Sequence, residues 1–139
     1  MSDAKAHGAL HVAVVTPEGS AYEGQASQVV VPAFDGEVAF QHDHAPFVGL
    51  LGVGEMRISP AAGGTPERYY LAGGVVQVAD NEVVVLAESV RRASALKVAD
   101  AERELAEAIA RDAVGDDAID ARLAAEDRAR ARLRVAQRS

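Results

Sequence analysis

The sequence has no cysteine, no tryptophan and no long apolar run. Each absence removes a class of function. Without cysteine there is no disulfide, no thiolate metal site and no thiol nucleophile. No stretch approaches the roughly 20 apolar residues that a membrane-spanning helix needs, so direct insertion into a membrane is not expected. The opening residues, MSDAKAHGAL, lack the charged-then-apolar order of a signal peptide and the Arg- and Ser-rich character of a transit peptide. They read as the start of a mature bacterial cytoplasmic product, one that reaches a membrane complex only through a partner. Aromatic residues make up just 4% of the chain, so a core must be assembled from Val, Leu, Ile and Ala. A length of 139 residues suits one domain, or two small units sharing a modest core.

The net charge of −7 is unevenly spread. Residues 1–90 carry three Lys or Arg against eleven Asp or Glu, whereas residues 91–139 carry eleven against ten. The last stretch, 128–139, holds five arginines and no acid. An acidic first part would repel phosphates, which argues against a nucleic-acid partner.

The composition changes near Arg91. Before it, short Val-rich runs are divided by Gly, Pro, Asn and Asp. LHVAVVT (10–16), QVVVPA (28–33), EMRIS (55–59), RYYLA (68–72), VVQVA (75–79) and EVVVLA (82–87) read as strands. TPEG (16–19), FDG (34–36), PAAGG (60–64) and ADN (79–81) read as turns. Eight or so short strands point to a β-sandwich or barrel over residues 1–90. In VVQVA, Val76 and Val78 share a face and Gln77 opposes them; the VVV runs fit strands partly buried on both faces. After Arg91 Pro vanishes and Ala becomes dense. Residues 94–114 place Val98, Ala101, Leu105, Ala108 and Ile109 at helical spacing, with Ser94 as the N-cap and Gly115 suited to a left-handed C-cap. A second helix follows over 117–137, capped by Asp116 or Asp117, with a thin apolar line of Ile119, Leu123, Ala129 or Arg130, and Leu133. Residues 91–139 thus read as an antiparallel helical hairpin that buries too little to stand alone.

Candidate chemistry is sparse. His42 and His44 flank Asp43, a spacing that puts both rings on one side of an extended segment. Zinc needs three or four ligands, and the other histidines, His7 and His11, lie far away in sequence. One reading is a small metal-dependent enzyme using His42, Asp43 and His44. The other is that His44 packs in a tight turn set by Pro46, with His42 exposed. Ser20, Ser27, Ser59, Ser89 and Ser94 sit at apparent element ends, without a nucleophile motif. GLLGVGEM (49–56) lacks the Lys-Ser/Thr ending of a phosphate loop. Gly73-Gly74, between two apolar runs, fits a bulge or a close backbone approach. Arg128, Arg130, Arg132 and Arg134 alternate, so a helix fans them over more than one face. They suit either a solvated helix end or an acidic protein surface.

Three stretches, in order, resemble one family: the epsilon subunit of the F-type ATP synthase. DGEVAFQHDHAPFVGLL (35–51) is similar to its Gly-Glu-Leu-Gly and Gly-His-Ala-Pro segment, matching at Gly36, Glu37, His44, Ala45 and Pro46. RYYLAGGVVQVADNEVVVLAESV (68–90) resembles its Tyr-Leu-Ser-Gly-Gly segment, with Ala72 in place of Ser. LHVAVVTPEGSAYEG (10–24) resembles its opening strand and turn. The resemblance implies a ten-stranded β-sandwich over 1–90 that binds the gamma subunit and rests on the c-ring, and a regulatory two-helix hairpin over 91–139. It implies a non-catalytic rotor subunit without a cofactor, peripheral on the cytoplasmic side of the bacterial inner membrane. Its hairpin either folds on the sandwich or extends to the alpha and beta subunits and inhibits ATP hydrolysis. Residue by residue, Glu37 faces the c-ring, His44, Ala45 and Pro46 face gamma, and Arg128, Arg130, Arg132 and Arg134 meet an acidic segment of beta. A β-sandwich adaptor of some other complex would share the architecture and ignore gamma.

The chain departs from that pattern in two places. His42 and Asp43 stand where family loops carry Pro and Gly, which alters the turn because Asp reaches positive φ less easily than Gly. Members that bind ATP carry Leu/Ile-Asp-x-x-Arg-Ala at the first helix; here Leu96-Lys97-Val98-Ala99-Asp100-Ala101 has the two charges exchanged. Lys97 and Asp100 still stand three apart and can pair on a helix, but Asp100 would repel a phosphate. Isothermal titration with ATP is therefore expected to show weak or no binding, and a micromolar affinity would overturn this expectation.

Overall fold

The computed structural model describes residues 8–138. His7, and the opening segment on which the targeting expectation rests, lie outside the described residues. Six strands come first: β1 (Leu10–Thr16), β2 (Gly19–Ala33), β3 (Gly36–Gln41), β4 (Phe47–Pro60), β5 (Glu67–Ala79) and β6 (Glu82–Arg92). Two helices follow, α1 (Val98–Ala110) and α2 (Asp116–Gln137). The strand order is β1-β6-β5-β4-β2-β3, and β2 also pairs with β1, so the sheet closes on itself. The β1–β6 pairing is parallel; the others are antiparallel. Closure leaves few free edges and encloses one apolar interior.

Period-two alternation fills that interior. Leu10, Val12 and Val14 of β1, Val29 and Val31 of β2, and Val83 and Val85 of β6 are all buried. Val76 and Val78 of β5 point inward while Gln77 is exposed, as the sequence pattern predicts. The parity does not persist along β5, however. Tyr69 and Leu71 are the core residues of its first half, and Val76 and Val78 of its second. β4 changes likewise, from Leu51 to Met56 and Ile58. Both ladders skip the rung that would join Gly52, Gly73 and Glu88. Gly73 (φ 72°) and Gly74 (φ 123°) absorb the irregularity. A Cβ on Gly74 would collide with the Leu86 carbonyl oxygen and lie 2.9 Å from the Ala87 Cα. The close backbone approach expected at this pair is therefore present.

The expected ten strands are corrected to six. β2, β4, β5 and β6 are long, with 15, 14, 13 and 11 residues. Each continues through its irregularity instead of ending there. RYYLA and VVQVA, read as two strands, are one. Residues 36–41, to which the sequence pattern assigns no strand, form β3, paired residue for residue with β2 from Gln28↔Gln41 to Ala33↔Gly36. The turn residues Asp80 and Asn81 take positive φ, as a tight hairpin requires.

The helices also start and stop differently from expectation. Ser94 lies in a short 3-10 turn (Ala93–Ala95); the N-cap of α1 is Lys97, with no side-chain hydrogen bond. Gly115 does take a positive φ of 93°, but as the residue before α2 and not as the C-cap of α1. The buried residues of α2 are Ala129, Ala131, Val135 and Ala136, while Ile119 and Leu123 stay largely exposed. The apolar line of α2 is thus shifted toward its C-terminal end, where it meets the sheet.

Replacing Gly74 with Val is expected to cost roughly 3 kcal/mol or more, from overpacking plus a strained φ. A urea-unfolding midpoint unchanged from the parent chain would refute the role assigned to this rung.

Candidate functional site

β3 begins at Gly36, and its second residue, Glu37, stands opposite Pro32 of β2. Arg57 of β4 holds the Glu37 carboxylate through both terminal nitrogens, at 3.3 and 3.2 Å. The same Arg57 Nη1 donates to Glu55 at 2.9 Å. Glu55 is the one charged residue buried among the described residues, at 8% exposure. Arg68 of β5 donates to it from Nε at 2.7 Å and pairs with it through Nη2. Arg138 adds a contact at 3.2 Å from just beyond α2. Burial alone would raise the Glu55 pKa. The hydrogen bonds from Arg57 and Arg68, with the charges of Arg68 and Arg138, outweigh burial and hold its carboxyl below the usual range.

At the far end of β3 the chain turns back. The His44 amide donates to the Gln41 carbonyl at 3.2 Å. Asp43 takes φ 64°, the conformation that a glycine would adopt more easily. A clip to the β5–β6 turn offsets this strain: the Asp43 amide donates to Asn81 Oδ1 at 2.6 Å, and Asn81 Nδ2 donates to Asp43 Oδ1 at 3.3 Å. The His44 ring packs edge-on against Phe40, with centroids 5.0 Å apart, and its Nδ1 donates to the Ala45 carbonyl at 2.6 Å. His42 pairs with Asp43 at 3.3 Å and is half-buried, not exposed as expected. His11 turns to Glu23 at 3.3 Å. No group of three or more His, Asp or Glu among the described residues is placed to hold a metal. The metal-enzyme reading therefore has no geometric support here. Ala45 and Pro46 are exposed and lead into β4.

Beside this loop lies a feature that the sequence reading missed. The register aligns Val15 of β1, Leu86 of β6, Val75 of β5 and Leu50 of β4 in one row across the outer face. Leu50 is 67% exposed, Val48 is 70% and Leu86 is 52%. Phe34, at 76%, lines shallow hollows together with Leu50. The signal was available: FVGLL alternates, and the VVV runs carry apolar residues on both faces. No described residue covers those outer positions. Contiguous apolar exposure of this kind marks an interaction surface.

The four alternating arginines do not form one patch. Arg132 pairs with Glu104 of α1 and lies over the Tyr70 ring, 5.3 Å from its centroid. Arg130 pairs loosely with Glu126 at 3.9 Å. Arg128 lines a groove with Glu104 and Glu107, and Arg134 lines a cleft with Glu37 and Arg138. Lys97 caps α1, and Asp100 pairs forward with Arg103 at 3.2 Å. The hairpin rests on the sheet through Ala131 and Val135 of α2, which pack with Tyr70, Ala72, Ala93 and Leu96.

Comparison with known proteins gives a consistent result. Residues 9–93 match the family model described as the ATP synthase delta/epsilon chain, beta-sandwich domain. The ATP synthase epsilon chain of Rhodopirellula baltica is 36% identical over 128 residues, covering 92% of this chain and 98% of that protein. An ATP synthase epsilon chain of Methylococcus capsulatus is 38% identical over 104 residues, covering 73% and 74%. The fold is shared with a chain in the cryo-EM structure of the Tetrahymena thermophila mitochondrial ATP synthase central stalk and c-ring. There the TM-score is 0.69 at 16% identity, covering 91% of this chain and 96% of the other. A chain of the Euglena gracilis mitochondrial ATP synthase gives a TM-score of 0.72 at 15% identity, covering 94% and 78%.

The lowered pKa of Glu55 sets the sign of a pH effect. Its contribution is complete above the unfolded carboxylate value of roughly 4.3 and is lost as pH falls through the lower folded value. The stability advantage of the parent chain over Glu55→Gln, measured in urea, should therefore shrink steadily on acidification from about pH 5 to about pH 3. A constant difference across that window would contradict the assignment.

Proposed function

We propose, for a chain that belongs to the ATP synthase epsilon-chain family, a non-catalytic role in the central stalk. It couples proton transport to ATP synthesis through the gamma subunit and the c-ring. The observation that carries this reading is the uncovered apolar row of Val15, Leu86, Val75 and Leu50 beside the clipped His44 loop. A rotor subunit must hold its neighbour through many turns, and a broad apolar face flanked by a rigid loop suits that task. In this reading His44, Ala45 and Pro46 border the gamma contact, and the acidic rim at Glu37 faces the c-ring loops.

Residues 1–90 serve as the anchor and residues 91–139 as the regulator. The helices inhibit ATP hydrolysis when they leave the sheet and reach the alpha and beta subunits. Arg128, Arg130 and Arg134 are then available to an acidic segment of beta, and Arg132 joins them on giving up Glu104 and Tyr70. The chain works on the cytoplasmic side of the bacterial inner membrane, held there by its partners. No helix among the described residues is long and apolar enough to cross a membrane.

The test uses the catalytic complex from the same source, stripped of this subunit. The full chain and a truncation ending at Ala93 should both bind, and only the full chain should slow ATP hydrolysis. Leu50→Asp should weaken binding roughly 30-fold or more, the scale of an interface hot spot, while leaving the urea midpoint unchanged because Leu50 is exposed. Binding of Leu50→Asp at parent affinity would remove the apolar row from the interface. Failure of the unaltered chain to bind would refute the function.

A further inference from the structure

Glu37 and Glu55 share one guanidinium, and through it the rim of the sheet is joined to the end of α2. Arg57 donates to both acids. Arg57 and Arg68 stand directly opposite each other on β4 and β5. Like charges in that position repel, and Glu55 between them makes the arrangement tolerable. Arg68 also donates to the Val135 carbonyl of α2 at 3.1 Å, and Arg138 reaches Glu55 at 3.2 Å. Among the described residues, two anions thus bond three cations, supplied by β3, β4, β5 and the α2 terminus, and Arg134 adds a fourth positive charge to the cleft wall. Glu37, Glu55, Arg134 and Arg138 line one cleft of about 390 Å³ between α2 and the sheet.

The charge balance decides what happens when Glu37 is occupied elsewhere. Three guanidiniums then crowd a single carboxylate. Arg57 and Arg68 are fixed in the sheet and cannot leave. Arg138 is 62% exposed, lies beyond the last residue of α2 and can. The apolar contribution to docking comes from two small residues, Ala131 and Val135, so the ionic contacts weigh heavily.

We propose that Glu37, Arg57 and Glu55 form a latch on the C-terminal turn of α2, which loosens when a cationic group of a partner engages Glu37. The latch stands on this chain alone. That the cation comes from a c-subunit loop rests on the function proposed above.

The absence of cysteine makes the test clean. Ala131→Cys introduces a sole thiol at a position 1% exposed while α2 is docked, so its rate of reaction with a thiol reagent reports undocking. In that background Glu55→Gln should react roughly tenfold faster, as expected for loss of a buried charge-assisted contact. Glu37→Gln and Arg138→Gln should each react roughly threefold faster, and Glu18→Gln, in a remote exposed turn, should match the parent. Should Glu55→Gln lower the urea midpoint of the sheet, Arg138→Gln, exposed and outside the sheet, carries the decision. Parent-like rates in both Glu55→Gln and Arg138→Gln, or in Arg138→Gln alone where Glu55→Gln has disturbed the sheet, overturn the latch. A parent-like rate in Glu37→Gln alone overturns its control from the rim. Because these rates are read on the free chain, failure to bind the catalytic complex would sink the stalk role and leave the latch standing.

Discussion

At the rung of Gly52, Gly73 and Glu88 the sheet exchanges the face that looks inward, and much of the molecule follows from that exchange. Before it, β5 buries Tyr69 and Leu71 and turns Tyr70 and Ala72 outward; after it, Val76 and Val78 are inside and Val75 is outside. One closed sheet therefore presents two unlike outer surfaces. One half offers Glu55, Tyr70 and Ala72 to the helices. The other leaves Leu50, Val75 and Leu86 facing outward, away from the helices. A regular ladder without the two glycines would keep a single parity and could not divide its outer face in this way. The backbone there leaves no room for a Cβ, because Gly74 lies against the carbonyl of Leu86.

The two surfaces differ in how they hold what they contact. The apolar row is uncharged and broad, which suits a durable contact. The helix side relies on Ala131 and Val135 and on paired charges. Arg132 is divided between Glu104 and Tyr70, and Arg68 between Glu55 and Val135. Buried ion pairs define position more than they add stability. An element held mainly by such pairs can be specific in its docked pose and still leave it. In the stalk role proposed above, the division between a permanent and a reversible contact thus lies in side-chain chemistry on either side of one rung.

Much of this was legible in the sequence where local pattern decides. Leu10–Thr16 was read to the residue, because alternation and a Thr-Pro-Glu-Gly turn coincide. β3 was missed because Gly36 and the histidines suggested a loop, although Val38 and Phe40 alternate correctly. The first half of β2 was missed because GSAYEGQAS is polar and holds two glycines; its pairing with β1 supplies what its own propensity lacks. The caps were misplaced because Ser94 and Gly115 satisfy local rules that the packing overrode. Glu55 was invisible as a site. It is one acid among many in an acidic half, and its partner Arg138 lies 83 residues away. No window on the sequence joins them.

The hydroxyl of Tyr70 is buried beneath α2, beside Arg132. Its enclosure forfeits hydration enthalpy, while the small apolar contacts around it draw their strength from the entropy of released water. Both facts give docking an unusual thermal signature. Cooling weakens the apolar contribution and makes solvation of a polar group more favourable. The helices of this chain should thus rest on the sheet less firmly in the cold than at higher temperature, so that chilling favours their release.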